Sequence, residues 1–299
     1  MFDVIIPTYK NLEELKRCLQ AFENQTYKEF RILVCVDGPA KSVLEYFSAG
    51  KFNFPFKVLT HRNGKRNGRN ATRNLALGYL ESKYLLMFDS DIIPASDLLE
   101  KHLALLKKKD CISVGEVVYT NASKNILADY IQTRGKNKYK NGQTIPSYYL
   151  ATSNVAFESQ YFLNAGGQDP DMVSYGGGDI EFGYRMEKMF HLPVIYNKEA
   201  VGYAKWSKSL DFVLSQMEEF GAVNLHKIKS KYPELREVFR FHLAESKNLK
   251  SRFVRFFLRD TIGTAVKEMV PHAPRLIRRL LIHYLFFWSI YKGYVLNSK

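Results

Sequence analysis

Four short apolar segments in the first third of the chain alternate with segments that carry the periodicity of helices. The apolar segments are residues 2–7, 31–36, 56–60 and 84–88. After the first of them, Leu12, Leu15, Leu19 and Phe22 are spaced as one face of a helix. Strands that alternate with helices predict a parallel, doubly wound α/β sheet with right-handed crossovers.

Polar residues follow three of these predicted strands. Thr8 and Tyr9 come after the first strand, Asp37 after the second, and Asp89 after the fourth. The carboxyl ends of parallel strands meet at one edge of the sheet, which is where open α/β sheets bind ligands. We therefore expect these residues to line one crevice.

Two carboxylates, Asp89 and Asp91, lie one residue apart at the end of the fourth strand. Side chains two apart on an extended segment point the same way, so the pair can share a ligand. Carboxylate oxygens suit Mg²⁺ or Mn²⁺ that already carries a diphosphate. The structural alternative is a solvated turn before a helix that starts near Ser96.

Six motifs, taken in order, resemble those of the inverting glycosyltransferases of family 2, which share the GT-A fold. They are residues 4–9 (VIIPTY), 36–38 (VDG), 69–74 (RNATRN), 89–91 (DSD), 151–154 (ATSN) and 176–182 (GGGDIEF). The residues beyond the motifs predict a helical C-terminal appendage to a GT-A type α/β fold. The resemblance implies that this fold has a mostly parallel doubly wound sheet flanked by helices. It assigns residues 1–230 to the catalytic domain, with a nucleotide-sugar half (1–115) and an acceptor half (116–230). Residues 231–299 form a basic amphipathic helical region.

The resemblance also implies a set of donor-binding residues. The turn at Pro7, Thr8 and Tyr9 and the acid Asp37 would hold the nucleobase, with Tyr9 as a stacking face and Asp37 as acceptor for a uracil imide N–H. Each has a structural alternative, because Tyr9 can be an ordinary turn aromatic and Asp-Gly-Pro at residue 37 is a good turn.

Further donor contacts are implied near the diphosphate and ribose. Asn70 and Arg73 fall on the family's contact helix, and an arginine there can form charge-assisted bonds to phosphate. The alternative for Arg73 is a solvated helix cation. Asp91 would bind the Mn²⁺ or Mg²⁺ ion, and Asp89 would contact the ribose or a metal-bound water.

Asp179 is the predicted general base, because it follows three glycines and opens an apolar helix. A helix N-terminus favours the ionised carboxylate that a base needs. The alternative is that Asp179 is only the helix N-cap, with Glu181 as a first-turn acid. Tyr175, Gly177, Gly178 and Glu181 are the predicted acceptor-binding residues. Similar enzymes have an acid where this chain has Gly178.

A second departure concerns the metal ion. Many relatives have a histidine after the base, but the corresponding stretch, residues 202–207, contains none. Asp91 and the diphosphate can hold Mg²⁺ with water ligands, or Lys205 can supply charge to the leaving diphosphate. The alternative to an enzyme is a catalytically inactive relative that binds a glycan or a nucleotide sugar.

The predicted reaction is a single inverting displacement from a nucleotide-diphosphate sugar, a UDP-sugar, to a hydroxyl of a glycan or lipid-linked acceptor. We expect a non-processive hexosyl- or N-acetylhexosaminyltransferase of polysaccharide biosynthesis, because no Gln-x-x-Arg-Trp motif and no membrane span is evident. Cys18, Cys35 and Cys111 lack metal-ligand spacing, and their small number fits a reducing cytosol.

Most of the positive charge lies near the C-terminus. Residues 247–299 hold eleven Lys and Arg against Asp260 and Glu268, which is +9 of the total +14. These cations alternate with bulky apolar residues, a pattern that suits an anionic membrane surface, and the run 280–296 is expected to lie in the interface or to pack on a partner. A helical pair that caps the catalytic domain, or a homodimer interface, is the alternative.

Nucleic acid is not an expected partner, because no nucleic-acid-binding signature accompanies the charge. No signal peptide is expected either, since residues 1–3 lead directly into the first strand. The predicted location is cytoplasmic, peripheral on the inner face of the cell membrane.

Overall fold

The structure is a computed structural model that describes residues 1–240 and 245–296. It contains two compact units. The first unit comprises Met1–Asn121, Gln132–Val173 and Asp179–Lys205. The second unit comprises Ala122–Ile131, Ser174–Gly178 and the described part of Trp206–Lys299. The domain boundary predicted at residue 230 divides the chain by expected function and not by compactness, and it stays a prediction.

A mixed sheet of nine strands, counted over the described residues, forms the centre of the first unit. The strand order is β3-β2-β1-β4-β8-β6-β9-β5, and β7 pairs with β9. β1, β2, β3 and β4 pair in parallel, as predicted, whereas β8 runs antiparallel to both β4 and β6. The strands are β1 (Phe2–Thr8), β2 (Phe30–Val36), β3 (Phe56–Thr60), β4 (Tyr84–Phe88), β5 (Ile93–Pro94), β6 (Ile112–Tyr119), β7 (Thr144–Ile145), β8 (Asn154–Glu158) and β9 (Val194–Ala204).

Helices flank this sheet and continue through the C-terminal part of the chain. The prediction of an α/β sheet flanked by helices, with a helical C-terminal region, is confirmed. The helices are α1 (Leu12–Glu23), α2 (Lys41–Ala49), α3 (Arg69–Asn74), α4 (Leu98–Lys108), α5 (Ile126–Gln132), α6 (Ser159–Asn164), α7 (Gly178–Phe190), α8 (Leu210–Ala222), α9 (Asn224–Lys231), α10 (Arg236–Phe239), α11 (Leu249–Phe257), α12 (Asp260–Met269) and α13 (Arg275–Leu296).

The first unit has a separate apolar core on each face of its sheet, because successive side chains of a strand point to opposite faces. On β4, Leu86 and Phe88 join the core that also holds buried residues of α1, α2 and α4. Leu85 and Met87 join the opposite core, together with buried residues of α6 and α7. A strand buried on both faces is a near-continuous apolar run, which is why β4 was recognisable in the sequence.

The second unit is a helical assembly in which α8 packs closely on α13. Gly293 permits this approach, since a Cβ atom there would lie 1.9 Å from the Glu218 carbonyl oxygen. The prediction that the run 280–296 lies in the membrane interface or packs on a partner is wrong for its middle. The side chains there fill the core of the second unit: Ile282, Leu285, Phe286 and Trp288. Among the described residues, no helix combines the length and the apolarity needed to span a bilayer.

Candidate active site

The three predicted polar strand ends meet at one edge of the sheet. Thr8 pairs with Val36 in the parallel register of β1 and β2, and the Asp37 N–H donates to the Thr8 carbonyl over 2.9 Å. β4 is the parallel neighbour on the other side of β1, and it ends directly before Asp89. The three strand ends therefore lie at one edge of the sheet, as expected, and the crevice between them stays a prediction.

Two cations lie near Asp37 and Tyr9: Arg66 belongs to the loop before α3, and Lys10 to the turn after β1. The buried Asp37 carboxylate accepts the Asn67 backbone N–H over 2.7 Å, and Arg66 Nε lies 3.8 Å from its second oxygen. The Arg66 guanidinium also lies 4.9 Å from the centre of the Tyr9 ring, and Lys10 Nζ lies 5.4 Å from it. Positive charge around an exposed aromatic ring suits an anionic, planar ligand.

Asn11 connects this group to the acidic motif, a role that the sequence did not reveal. Its Oδ1 accepts hydrogen bonds from Thr8 Oγ1 over 2.6 Å and from the Tyr9 N–H over 3.0 Å. Its Nδ2 donates to Ser90 Oγ over 2.7 Å. The available signal was an asparagine just before a helix, since such side chains bond nearby backbone groups.

Asp89 and Asp91 occupy a turn rather than an extended segment. The Ile92 N–H donates to the Asp89 carbonyl over 3.2 Å, so the chain reverses immediately after β4. The reasoning that an extended backbone aligns the two carboxylates is therefore wrong. Ser90, between them, is buried, while Asp91 is exposed.

Arg73 and Asn70 are buried, which excludes the alternative of a solvated helix cation for Arg73. Arg73 Nη2 donates to Asp89 Oδ1 over 2.6 Å. Asn70 Nδ2 donates to the Asp169 carbonyl over 2.9 Å. The structure therefore joins Arg73 to the acidic turn and anchors Asn70 to the chain segment that precedes α7.

The predicted base and the acidic turn are connected through two consecutive residues. Thr152 Oγ1 donates to Asp179 Oδ1 over 2.6 Å, and the Thr152 N–H lies 3.3 Å from Asp179 Oδ2. The carbonyl of the next residue, Ser153, accepts the Asp89 N–H over 3.2 Å. α7 begins at Gly178, so Asp179 lies in the first turn of the helix and is not its N-cap.

Glu181 has a structural role in the first unit. Its side chain is only 1% exposed, and its carboxylate accepts a hydrogen bond from Arg185 Nε over 2.8 Å. Arg185 also donates to the carbonyls of Ala165 and Gly167, over 2.6 and 2.8 Å. This pairing ties α7 to the loop after α6, in contrast to the predicted acceptor contact.

The glycines before Asp179 are held in place within the second unit and are not a flexible spacer. Gly176 and Gly177 have φ angles of +77° and +82°, which favour glycine. A Cβ atom on Gly177 would lie 2.9 Å from the Phe220 ring, and Asn224 Nδ2 donates to the Gly176 carbonyl over 2.6 Å. Tyr175 packs in the same unit, with its ring 5.2 Å from Lys208 Nζ.

Asp89 and Asp91 are the two carboxylates that directly follow β4 at this edge of the sheet. Among the residues that the structure describes, no cluster of three or more His, Cys, Asp or Glu side chains could enclose a metal. Mg²⁺ and Mn²⁺ accept such incomplete protein shells, because water and phosphate oxygens complete them. An ion that arrives with a diphosphate would not need a third protein carboxylate.

Comparison with solved structures identifies the same fold elsewhere. A mannosyltransferase, PcManGT of Pyrobaculum calidifontis, solved in complex with GDP-Man and Mn²⁺, matches with a TM-score of 0.60 at 14% identity, over 97% of this chain and 86% of that one. S. aureus TarS 1-349 matches with a TM-score of 0.56 at 16% identity, over 99% of this chain and 90% of that one. At these identities the likeness shows the fold.

Comparison of sequences identifies the family. Chondroitin synthase of Escherichia coli is 25% identical over 217 residues, which are 61% of this chain and 32% of that protein. An uncharacterized glycosyltransferase of Methanocaldococcus jannaschii is 26% identical over 170 residues, 54% of this chain and 59% of that protein. The chain thus spans about a third of one relative and just under two thirds of the other. The model of glycosyl transferase family 2 matches residues 3–162, more than half of the chain, and the protein therefore belongs to that family.

Proposed function

We propose that this glycosyltransferase moves a sugar from a UDP-sugar to a hydroxyl of a glycan or lipid-linked acceptor, with inversion and with Asp179 as the general base. The observation that carries the proposal is the connection between Asp179 and Asp89 through Thr152 and Ser153. Asp179 and Asp89 thus both contact the two residues that precede β8, and this supports a base close to the acidic turn. A base must lie within reach of the acceptor hydroxyl while the donor's reactive carbon faces it.

The proposed steps use residues of the first unit. Asp179 takes the proton of the acceptor hydroxyl as its oxygen attacks the anomeric carbon, and the bond from that carbon to the diphosphate oxygen breaks. Thr152 orients the Asp179 carboxylate by its short hydrogen bond. One displacement without a covalent intermediate inverts the anomeric configuration.

Tyr9 and Asp37 are the proposed contacts of the nucleobase, together with Pro7 and Thr8, and the cations Arg66 and Lys10 add favourable charge for the nucleotide. Asp91 and Asp89 would hold Mn²⁺ or Mg²⁺, which when bound neutralises charge on the leaving diphosphate. Arg73 would support this ion site indirectly, through its hydrogen bond to Asp89. Asn70 is the proposed contact near the ribose.

The identity of the donor is the finer part of the proposal. TarS 1-349 has been solved in complex with UDP-GlcNAc and with UDP, which supports a UDP-sugar and an N-acetylhexosamine. The GDP-Man complex of PcManGT makes a guanosine donor the competing outcome. Thermal unfolding with a panel of nucleotide sugars separates them, since a ligand at 100 times its dissociation constant stabilises by about 2.7 kcal/mol.

Acceptor contacts remain predictions for Tyr175, Gly177 and Gly178, which precede the base in the chain. Glu181 is better explained by its pairing with Arg185. We also propose that the reaction is non-processive. Its proposed place is the inner face of the cell membrane, because a basic C-terminal region favours anionic lipid and lipid-linked acceptors. A homodimer is the competing use of that region.

The decisive experiment compares Asp179→Asn with Glu187→Gln, which neutralises a carboxylate two turns later on α7. We expect Asp179→Asn to lower sugar transfer by about 10²- to 10⁴-fold, the usual contribution of a general base, and to leave nucleotide-sugar binding intact. The anomer formed, read by NMR, should be inverted. Wild-type protein that binds nucleotide sugar but turns over none would establish the inactive binding relative instead.

A further inference from the structure

The helix α11 presents its apolar side to solvent and its polar side to the protein. Leu249 is 79% exposed and Phe253 is 65% exposed, while Ser251 is 1% exposed. At 100° per residue, four apolar side chains fall within about 100° of the helix circumference. They are Leu249, Phe253, Phe256 and Phe257. A surface helix of a soluble protein normally has the opposite orientation.

The inward side of α11 accounts for its position. Asn248 Oδ1 caps the helix by accepting the Ser251 N–H over 2.8 Å, and Arg255 Nη1 donates to the Ser246 carbonyl over 2.6 Å. Val254 packs on the core of the second unit. These contacts fix the orientation of α11. Its aromatic side therefore faces solvent because the opposite side is held against the protein.

The start of α13 extends the same apolar surface. Leu276, Ile277 and Leu280 are exposed and lie on the side of α13 that also carries Tyr284, within about 100° at the helical spacing. Tyr284 Oη donates to the Phe257 carbonyl over 2.5 Å, which brings this side of α13 to the end of α11. The two exposed groups therefore adjoin one another around Phe257.

Cations border this surface. Lys250 and Arg252 flank the apolar stripe of α11 on its two sides, and the Arg259 guanidinium lies 4.6 Å from the Phe256 ring centre. Arg275 and Arg279 share one carboxylate, Asp129, over 2.5 and 2.8 Å, which leaves an excess positive charge there. A stripe of phenylalanine and leucine between cations matches the chemistry of an anionic bilayer surface, with acyl chains below and phosphate above.

We infer that α11 and the first turns of α13 form a docking face for an anionic lipid bilayer. The face is defined as Leu249, Phe253, Phe256, Phe257, Leu276, Ile277 and Leu280, with the bordering cations. Of residues 247–299, for which we propose a role at the membrane, only this face would contact lipid. The middle of α13 would not contact lipid, because it is buried. The inference does not depend on the proposed transfer reaction.

The test is flotation of the full-length purified protein with vesicles of phosphatidylcholine, with or without phosphatidylglycerol. We expect binding to the anionic vesicles and at least about a tenfold loss of partitioning in the triple variant Phe253→Ser/Phe256→Ser/Phe257→Ser, since each ring leaves the lipid. The matched control is Leu163→Ser/Val173→Ser/Met189→Ser, which removes three exposed apolar side chains of the first unit. The control should float like wild type.

A second variant, Lys250→Glu/Arg252→Glu, tests the charge. Each cation near lipid is worth about a fivefold change in partitioning, so this variant should lose at least about 25-fold on anionic vesicles and respond weakly to salt. Thermal unfolding should be unchanged in both variants, because the altered side chains are exposed. Equal flotation of the Phe variant and wild type would overturn the inference. So would wild-type protein that ignores both vesicles and forms a dimer that the Phe variant dissociates, because the occupant would then be a second copy of the chain.

Discussion

Arg73 Nη2 lies 2.6 Å from Asp89 Oδ1, and the guanidinium is 3% exposed while the carboxylate is 34% exposed. Arg73 Nε is buried and has no hydrogen-bond partner among the residues that the structure describes. A buried charged group that is incompletely satisfied costs free energy, and its remaining partner becomes correspondingly important. The pair therefore couples the stability of the first unit to the proposed donor site.

This coupling predicts different effects for the two acids of the turn. Asp89→Asn leaves the buried guanidinium without its charged partner and should lower the free energy of unfolding by about 2–3 kcal/mol. Asp91→Asn changes an exposed carboxylate and should stay within about 0.5 kcal/mol of wild type. Urea unfolding measures both, and equal losses would contradict the structural role of Asp89.

Thr152 should act on the reaction through Asp179. Thr152→Val removes a hydrogen bond to a charged group and should lower kcat about 10- to 100-fold, with the nucleotide-sugar Kd unchanged. Thr152→Ser keeps the hydroxyl and should retain most of the rate. Steady-state kinetics with calorimetric donor binding test this, and a serine variant as slow as the valine variant would point to packing instead.

His102 should make the free energy of unfolding depend on pH, because its ring is fully buried and burial disfavours the charged form. Nε2–H donates to Asn154 Oδ1 over 2.9 Å, while Asn154 Nδ2 donates to the Glu116 and Ala200 carbonyls. Nδ1 accepts from Ser113 Oγ over 2.8 Å. Desolvation lowers the pKa of His102 to about 4, against the hydrogen bond that the ring donates to Asn154, which raises it.

The sign follows from the unfolded chain, where the histidine pKa is about 6.5 and the proton is taken up earlier. The stability contribution of His102 is therefore complete above about pH 6.5 and is lost as the pH falls toward 4, by at most about 1.4 kcal/mol per pH unit. We expect the urea midpoint to fall less steeply with decreasing pH, between about pH 7 and pH 4, in His102→Gln than in wild type. An unchanged slope would assign the acid sensitivity to other groups.

Gly293 should be required for the packing of α8 on α13. Gly293→Ala places a methyl group against the Glu218 carbonyl, so we expect a loss of about 1–3 kcal/mol despite the better helix propensity of alanine. Gly78→Ala is the control, because a Cβ atom there meets nothing within 4 Å. Calorimetry should show a lower Tm for Gly293→Ala, and two similar thermograms would contradict the close packing.

The strands of the nucleotide half could be predicted because each is a local feature. β3 and β4 have the bounds expected from their apolar runs, and β1 and β2 differ by a residue. Parallel topology then brought Thr8, Asp37 and Asp89 to one edge, as expected. The backbone after β4 was not predictable, because the turn depends on the Ile92 hydrogen bond and not on spacing.

Hydrogen bonds between residues that are far apart in the chain could not be predicted from the sequence either. Thr152 meets Asp179, and Asn11 meets Ser90, only because the sheet brings their backbones within hydrogen-bond distance. A sequence names the polar side chains, but the backbone path decides which of them are neighbours. The contact of Arg73 with phosphate stays a prediction, and the fold provides Asp89 as a partner of its guanidinium.

The C-terminal helices show which properties follow from local sequence and which depend on tertiary packing. Local composition alone established that α11 and α13 are helical, amphipathic and basic, because periodicity and charge are properties of neighbouring residues. It could not establish which apolar side is buried. The tertiary structure decided this: α8 covers the middle of α13, whereas the phenylalanines of α11 are left 45% to 65% exposed in the described chain. Burial depends on what packs against a side chain, and only the folded chain supplies that.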